Sequence, residues 1–170
     1  MSGDLAPTTS AAAQARFLGG FDATLLSRVE DAGLNASAPP QQRWMDGWLL
    51  RCSHGKAKRA RCVNAVALGL RPVEQKLAEC TRIFSAASLP LIIRVTPFTL
   101  PSTLDAQLAA HGLLRFDDTR VMVLHDLAAV QGPSLSADYS LREIALEPFA
   151  QRVGALRGSS LSQRQAHAHR

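Results

Sequence analysis

Ser53-His54-Gly55-Lys56 is the stretch whose residue types come nearest to a catalytic pattern, since a serine three residues before a lysine can be a nucleophile beside its base. That chemistry needs the serine at a helix start, so that the lysine one turn on reaches the hydroxyl. Here the four residues fall between two strand-like runs, and neither Ser-Asp-Asn nor Lys-Thr-Gly follows, so no acylating function is assigned. The chain has no GxGxxG, no GxxxxGK(S/T) and no HExxH. His54, His111, His125, His167 and His169 are scattered, and Cys52, Cys62 and Cys80 have no metal-ligand spacing, so no catalytic residue and no metal ligand is named.

Charge placement says more. No acid occurs between Gly47 and Val73, where Arg51, Lys56, Lys58, Arg59, Arg61 and Arg71 fall. After Glu147 there is again no acid, while Arg152, Arg157, Arg164 and Arg170 continue to the end. On a chain of net charge +5, two such zones point to a phosphate-bearing or otherwise anionic partner, solvated faces being the plainer alternative. Nucleic acid is disfavoured: Trp48 is the one aromatic beside the basic hairpin, and single-strand binders interleave stacking rings with charge.

The elements that must position these residues follow from periodicity. A length of 170 residues, 46% of them apolar, fits one domain or one domain plus the start of another. No apolar run approaches the ~18–20 residues of a membrane span, so no membrane partner is expected. Residues 1–20 read as a mobile tail without a signal-peptide core, and an odd cysteine count suits a reducing, cytoplasmic setting. Phe21 to Gly33 reads as a helix capped by Asp22, with Phe21, Leu25, Leu26 and Val29 in one stripe and Gly33 as its stop. Residues 35–42 read as a loop, then Trp48–Ser53 and Arg61–Leu70 as a hairpin. In that hairpin Cys52 and Cys62 sit symmetrically about the turn, which predicts cross-strand neighbours with free thiols. Pro72 starts a helix whose stripe is Val73, Leu77, Cys80, Phe84 and Ala87. Leu91–Thr96 reads as a buried strand, and Ser102 with Asp105 as the capping arrangement of a helix through His111, closed by Gly112. Thr119–Leu127 and Tyr139–Ala145 alternate as strands, with Gly132-Pro133-Ser134 between them. Glu147–Gly158 and Ser162–Arg170 read as helices. Repeated strand–helix–strand order implies an α/β sandwich with some parallel pairing.

From Gln42 onward the chain resembles a group of bacterial GNAT-superfamily N-acetyltransferases. The resemblance is carried by Asp46-Gly47-Trp48-Leu49-Leu50-Arg51, then Lys58-Arg59-Ala60-Arg61-Cys62-Val63-Asn64, then Pro90-Leu91-Ile92-Ile93-Arg94-Val95-Thr96-Pro97, and covers roughly residues 44–158. It implies an α/β (α+β) fold with a GNAT-like mixed central sheet and helices on both faces. In such proteins two GNAT-like halves are fused, the first degenerate and the second carrying the acetyl-CoA site. The implied organisation is a tail over 1–20, a degenerate N-terminal domain over 21–130, a linker over 131–137 and the truncated start of a second domain over 138–170.

The superfamily holds acetyl-CoA on a Q/R-x-x-G-x-G/A loop, whose backbone N–H groups at a helix start cradle the pyrophosphate. The equivalent turn, Gly69-Leu70-Arg71-Pro72-Val73, has one glycine, and Pro72 removes a donor. Gln151-Arg152-Val153-Gly154-Ala155-Leu156 comes close but lies inside a helix with Leu156 at the small-residue position, and Tyr139, the only tyrosine, is misplaced to protonate a leaving thiolate. The expectation is therefore the N-terminal portion of an enzyme that acetylates a small-molecule or peptide amine, with acetyl-CoA serving the complete protein and no cofactor bound by this chain alone. Arg51, Lys58, Arg59, Asn64 and Arg94 are the candidate substrate-side or anion-binding residues. The alternative is a non-catalytic degenerate domain that binds a protein partner or an anionic ligand; a homo-oligomer is left open.

Overall fold

Asp46-Gly47 starts the sheet. In the structure, a computed structural model that describes residues 22–124, 126–130, 132 and 136–169, both turn residues have positive φ (44° and 83°). That geometry matches the right-handed twist of a two-residue hairpin, and Asp-Gly adopts it readily. The turn joins β1 (Gln42–Met45) to β2 (Trp48–Arg51), antiparallel, with Met45 opposite Trp48. β2 pairs antiparallel with β3 (Val63–Ala65), and β3 pairs parallel with β4 (Ile93–Arg94), giving a mixed four-stranded sheet in the order β1-β2-β3-β4. A 3-10 turn, Lys58–Ala60, interrupts the loop between β2 and β3.

Alternation then sorts side chains between the two faces. On one, Trp48, Leu50, Val63 and Ala65 pack against Val73, Leu77, Cys80 and Phe84 of α2 (Val73–Ala86) and against Leu104 and Leu108 of α3 (Leu104–Ala110). This is the core. On the other lies α1 (Ala23–Asn35), where Glu30 pairs with Arg94, the β4 neighbour of Asn64. The mixed sheet with helices on both faces is the expected α+β class. The chain ends in a helical hairpin, α4 (Leu146–Leu156) and α5 (Leu161–Ala168), the latter with a Ser160–Gln163 capping box.

Several boundaries differ from expectation, for physical reasons. Asp22 caps α1 as expected, its Oδ1 accepting from Thr24 N at 2.8 Å, but the helix passes Gly33 and ends at Asn35. Residues 35–42 are not all loop, since Gln42 opens β1, a strand the pattern did not announce because polar and apolar residues do not alternate in it: Arg43 and Met45 share one face, Gln42 and Trp44 the other. The long Arg61–Leu70 strand shrinks to three residues because Ala67 N turns back to Gly47 O at 3.0 Å. Leu91–Thr96 likewise reduces to Ile93–Arg94. Thr103, not Ser102, holds the N-cap position of α3, and Asp105 pairs with Arg115 instead of capping; Gly112 closes the helix with φ 79°. The described residues of Thr119–Leu127 and of Tyr139–Ala145 form no strand. Their alternation suits a pleated surface, but a strand exists only against a partner, and none of the four strands pairs with the described residues there. Phe21, the 1–20 tail, His125, Pro133, Ser134 and Arg170 lie outside the described residues.

The cysteine expectation fails by one residue. Leu50 faces Val63, so the pairing continues as Arg51 with Cys62, and Arg51 N donates to Cys62 O at 3.1 Å. A one-residue offset reverses the face. Cys52 therefore packs against the core while Cys62 bonds Asn64 on the opposite side, and all three thiols are free.

Candidate functional site

The turn into α2 is the place where a helix start could hold an anion, and the protein fills it with its own side chain. Asp46 Oδ1 accepts from Leu70 N at 2.8 Å and Oδ2 from Arg71 N at 2.9 Å. These two backbone hydrogen bonds outweigh the partial desolvation and, with Lys76 adding to them, lower the carboxyl pKa from 3.8 to about 2. Gly69 is required for this approach, since a Cβ there would stand 2.1 Å from Asp46 Oδ2. Lys76, only 2% exposed, completes the clamp: its Nζ donates to Asp46 O at 2.9 Å, lies 3.1 Å from Oδ2 and sits 5.0 Å above the Trp48 ring.

The α1 face of the sheet gathers the polar residues. Arg94 forms a two-pronged pair with Glu30, Nη2 donating to Oε2 at 2.8 Å, and this bond, aided by the charge, raises the Arg94 pKa against a desolvation cost. Asn64 Nδ2 donates to Cys62 Sγ at 3.6 Å. Arg51 is buried without a carboxylate at ion-pair distance among the described residues; its Nε donates to Gln42 Oε1 at 3.1 Å and Nη1 to Ser37 O at 3.4 Å. Desolvation first, then the Arg94 and Arg59 charges, lower its pKa. Arg59 lies along α1, its Nη1 3.1 Å from where a Cβ on Gly33 would stand. Lys58 turns elsewhere, to Asp117 Oδ2 at 2.7 Å and over the Phe116 ring at 4.8 Å. Of the five residues singled out by sequence, Arg51, Arg59, Asn64 and Arg94 thus surround Cys62, and Lys58 does not join them.

This cluster is poor in reactive groups. Burial pushes the Cys62 thiol up to about 11 and Cys80 to about 12, and raises Cys52, so none is a ready thiolate nucleophile. The small cavity beside it, about 20 Å³ and lined by Glu30, Asn64, Arg94 and Thr96 together with the apolar Ala65, Val66 and Phe98, has room for a water-sized occupant.

Residues 25–145, more than two thirds of the chain, match the family model described as probable histone acetyltransferase Rv0428c C-terminal. The chain belongs to this family. No curated protein and no solved structure matches it. The matched span includes the Asp46 clamp, the polar cluster and all four strands. The mixed α+β sheet is compatible with an acetyltransferase-related family. Among the described residues no group of His, Cys, Asp or Glu could hold a metal. No helix among them is long and apolar enough to cross a membrane. Sequence reasoning missed Asp46, Glu30 and Lys76 as members of these two sites. Asp46-Gly47 is a strong hairpin signal that would have found β1 and placed the carboxylate; for Glu30 and Lys76 the sequence holds no local signal, since their partners lie 64 and 30 residues away.

Proposed function

We propose that this chain is the front, degenerate portion of a GNAT-type N-acetyltransferase. The complete protein moves acetyl from acetyl-CoA to an amine, and this portion supplies scaffold and substrate-side walls around Arg51, Arg59, Asn64 and Arg94. Residues 21–130 form the degenerate half, 131–137 the connection and 138–170 the start of the second half. The family description, by contrast, places its domain at the C-terminus of its namesake.

One observation carries this reading. A pyrophosphate cradle needs several converging backbone N–H groups at a helix start. At α2 the Leu70 and Arg71 N–H groups are taken by Asp46, and Pro72 at the N-cap position has none to give. The residues present at this turn do not fit the cofactor: a bound pyrophosphate would have to displace an internal carboxylate and stand beside it. Calorimetry with acetyl-CoA at physiological ionic strength tests the proposal, together with a thiol-release assay against polyamines and amino acids. We expect weak, salt-sensitive binding, on the order of 1 mM, and no turnover. A low-micromolar dissociation constant, or turnover that disappears on mutating this chain, refutes it.

A further inference from the structure

We propose that the cleft between the loop after β2 and the α4–α5 hairpin binds a phosphate group, either free or carried as a monoester by a small molecule. The two acid-free stretches of sequence, about a hundred residues apart, meet there. The loop contributes Ser53 and Lys56, and the hairpin contributes Arg157, Arg164 and His167, around a cavity of about 170 Å³. No carboxylate is among the lining residues, so the positive potential inside has nothing local to cancel it. Lys58, the neighbouring lysine that does meet an acid, spends its charge on Asp117 outside the cleft.

The donors are placed and in part unmet. Arg164 Nε is buried and has no hydrogen-bond partner. A buried N–H without an acceptor is costly, and a turn of the guanidinium towards the cleft that Arg164 lines would let an oxyanion relieve that cost. The position of Arg164 is built into the fold: a Cβ on Gly154 would come within 2.2 Å of Arg164 Cγ, so the arginine stem crosses α4 at the one residue that leaves room for it. Ser53 is 8% exposed, and its Oγ already accepts from Gly55 N at 3.1 Å, which leaves the hydroxyl proton to donate. Lys56 Nζ donates to Arg157 O at 3.0 Å, which fixes the ammonium at the α4 C-terminus and leaves further N–H groups for a ligand. Gly55 packs on Ala166, where a Cβ would lie 3.5 Å from the Ala166 Cβ, so loop and helix are already in contact before any ligand arrives.

A planar guanidinium, an ammonium and a hydroxyl lining one cavity with no carboxylate match a tetrahedral dianion. The ligand is small, because the cavity is well below the ~300–1,000 Å³ of drug-sized sites. A nucleic-acid strand is disfavoured, because no Phe, Tyr or Trp lines the cavity and His167 is the one ring there on which a base could stack. This site shares no residue with the Asp46 clamp, so the inference stands or falls independently of the acetyltransferase reading.

The test is calorimetry and thermal melting of the purified chain with sodium phosphate against sodium chloride at matched ionic strength and pH. Glycerol phosphate is a second arm and a short single-stranded oligonucleotide a third. We expect saturable phosphate binding and a rise in Tm that chloride does not reproduce. Arg164→Gln should weaken phosphate binding about tenfold. Lys56→Gln, on an exposed loop residue, should weaken it several-fold while leaving the chloride melting curve and circular dichroism unchanged. This second variant guards against a loss of folding in the first. Tighter binding of glycerol phosphate would assign the site to a small phosphomonoester, and equal binding to free phosphate; both support the proposal. Equal responses to phosphate and chloride, wild-type phosphate affinity in Lys56→Gln and Arg164→Gln, or preferred binding of the oligonucleotide would each overturn it.

Discussion

Phe84→Ala probes the centre of the core. Phe84 is fully buried on α2, in one cluster with Leu50, Val63, Leu77 and Leu104. Losing the transfer free energy of the ring costs about 2–3 kcal/mol. The hole it leaves, on the order of 80 Å³ if the walls stay in place, adds about 2 kcal/mol at ~24 cal/mol per Å³. The sum, about 4–5 kcal/mol, lies within the ~3–5 kcal/mol usual for such changes and takes much of the ~5–15 kcal/mol that holds a typical domain folded. With a urea m-value of about 1–2 kcal/mol per M, the midpoint should fall by at least ~2 M, or the variant should be unfolded in water. Leu141→Ala is the contrast: with Leu141 87% exposed, the midpoint should stay within error of the parent. A Phe84→Ala midpoint within ~0.5 M of the parent, at unchanged m, would mean that α2 turns a different face to the sheet.

Acid stability should depend on Asp46. A carboxyl depressed from 3.8 to about 2 by folding contributes stability that is complete above 3.8 and is lost as pH falls through about 2; urea midpoints should decline across that window, and Asp46→Asn should remove that part of the slope. The thiols should differ in reactivity at neutral pH: Cys52, half-buried, should alkylate before Cys62 and Cys80, whose burial and raised pKa values protect them until the chain unfolds, as timed mass spectrometry would show. Early labelling of Cys62 would contradict the pairing of β2 with β3.

Much of the fold was legible because the signals were local. The α2 stripe needed only its own spacing, and four of its five residues (Val73, Leu77, Cys80 and Phe84) are buried. The basic loop between β2 and β3 was visible as a turn between two apolar runs. What escaped depends on distance. Alternation over 119–127 and 139–145 describes a surface that could pair, and pairing is decided by a neighbour that periodicity does not reveal. The cysteine register failed because a 3-10 turn at Lys58–Ala60 sits in the loop, and counting from its middle misplaces the strands by one. At the candidate site, Arg51, Arg59, Asn64 and Arg94 were identified by type, yet the partner that neutralises Arg94, Glu30, comes from a helix 64 residues earlier.

The Asp46 clamp also sets the terms of competition at the α2 turn. A carboxylate on the same chain is present at a fixed effective concentration, which for short tethers is on the order of millimolar or above. Any outside anion, whatever its intrinsic fit to the Leu70 and Arg71 N–H groups, sees its apparent affinity multiplied by the small fraction of time that the carboxylate leaves them free. Asp46→Gly would remove the tethered competitor while keeping a residue suited to positive φ at the turn. A single codon thus separates a helix start that is closed to solution anions from one that is open to them.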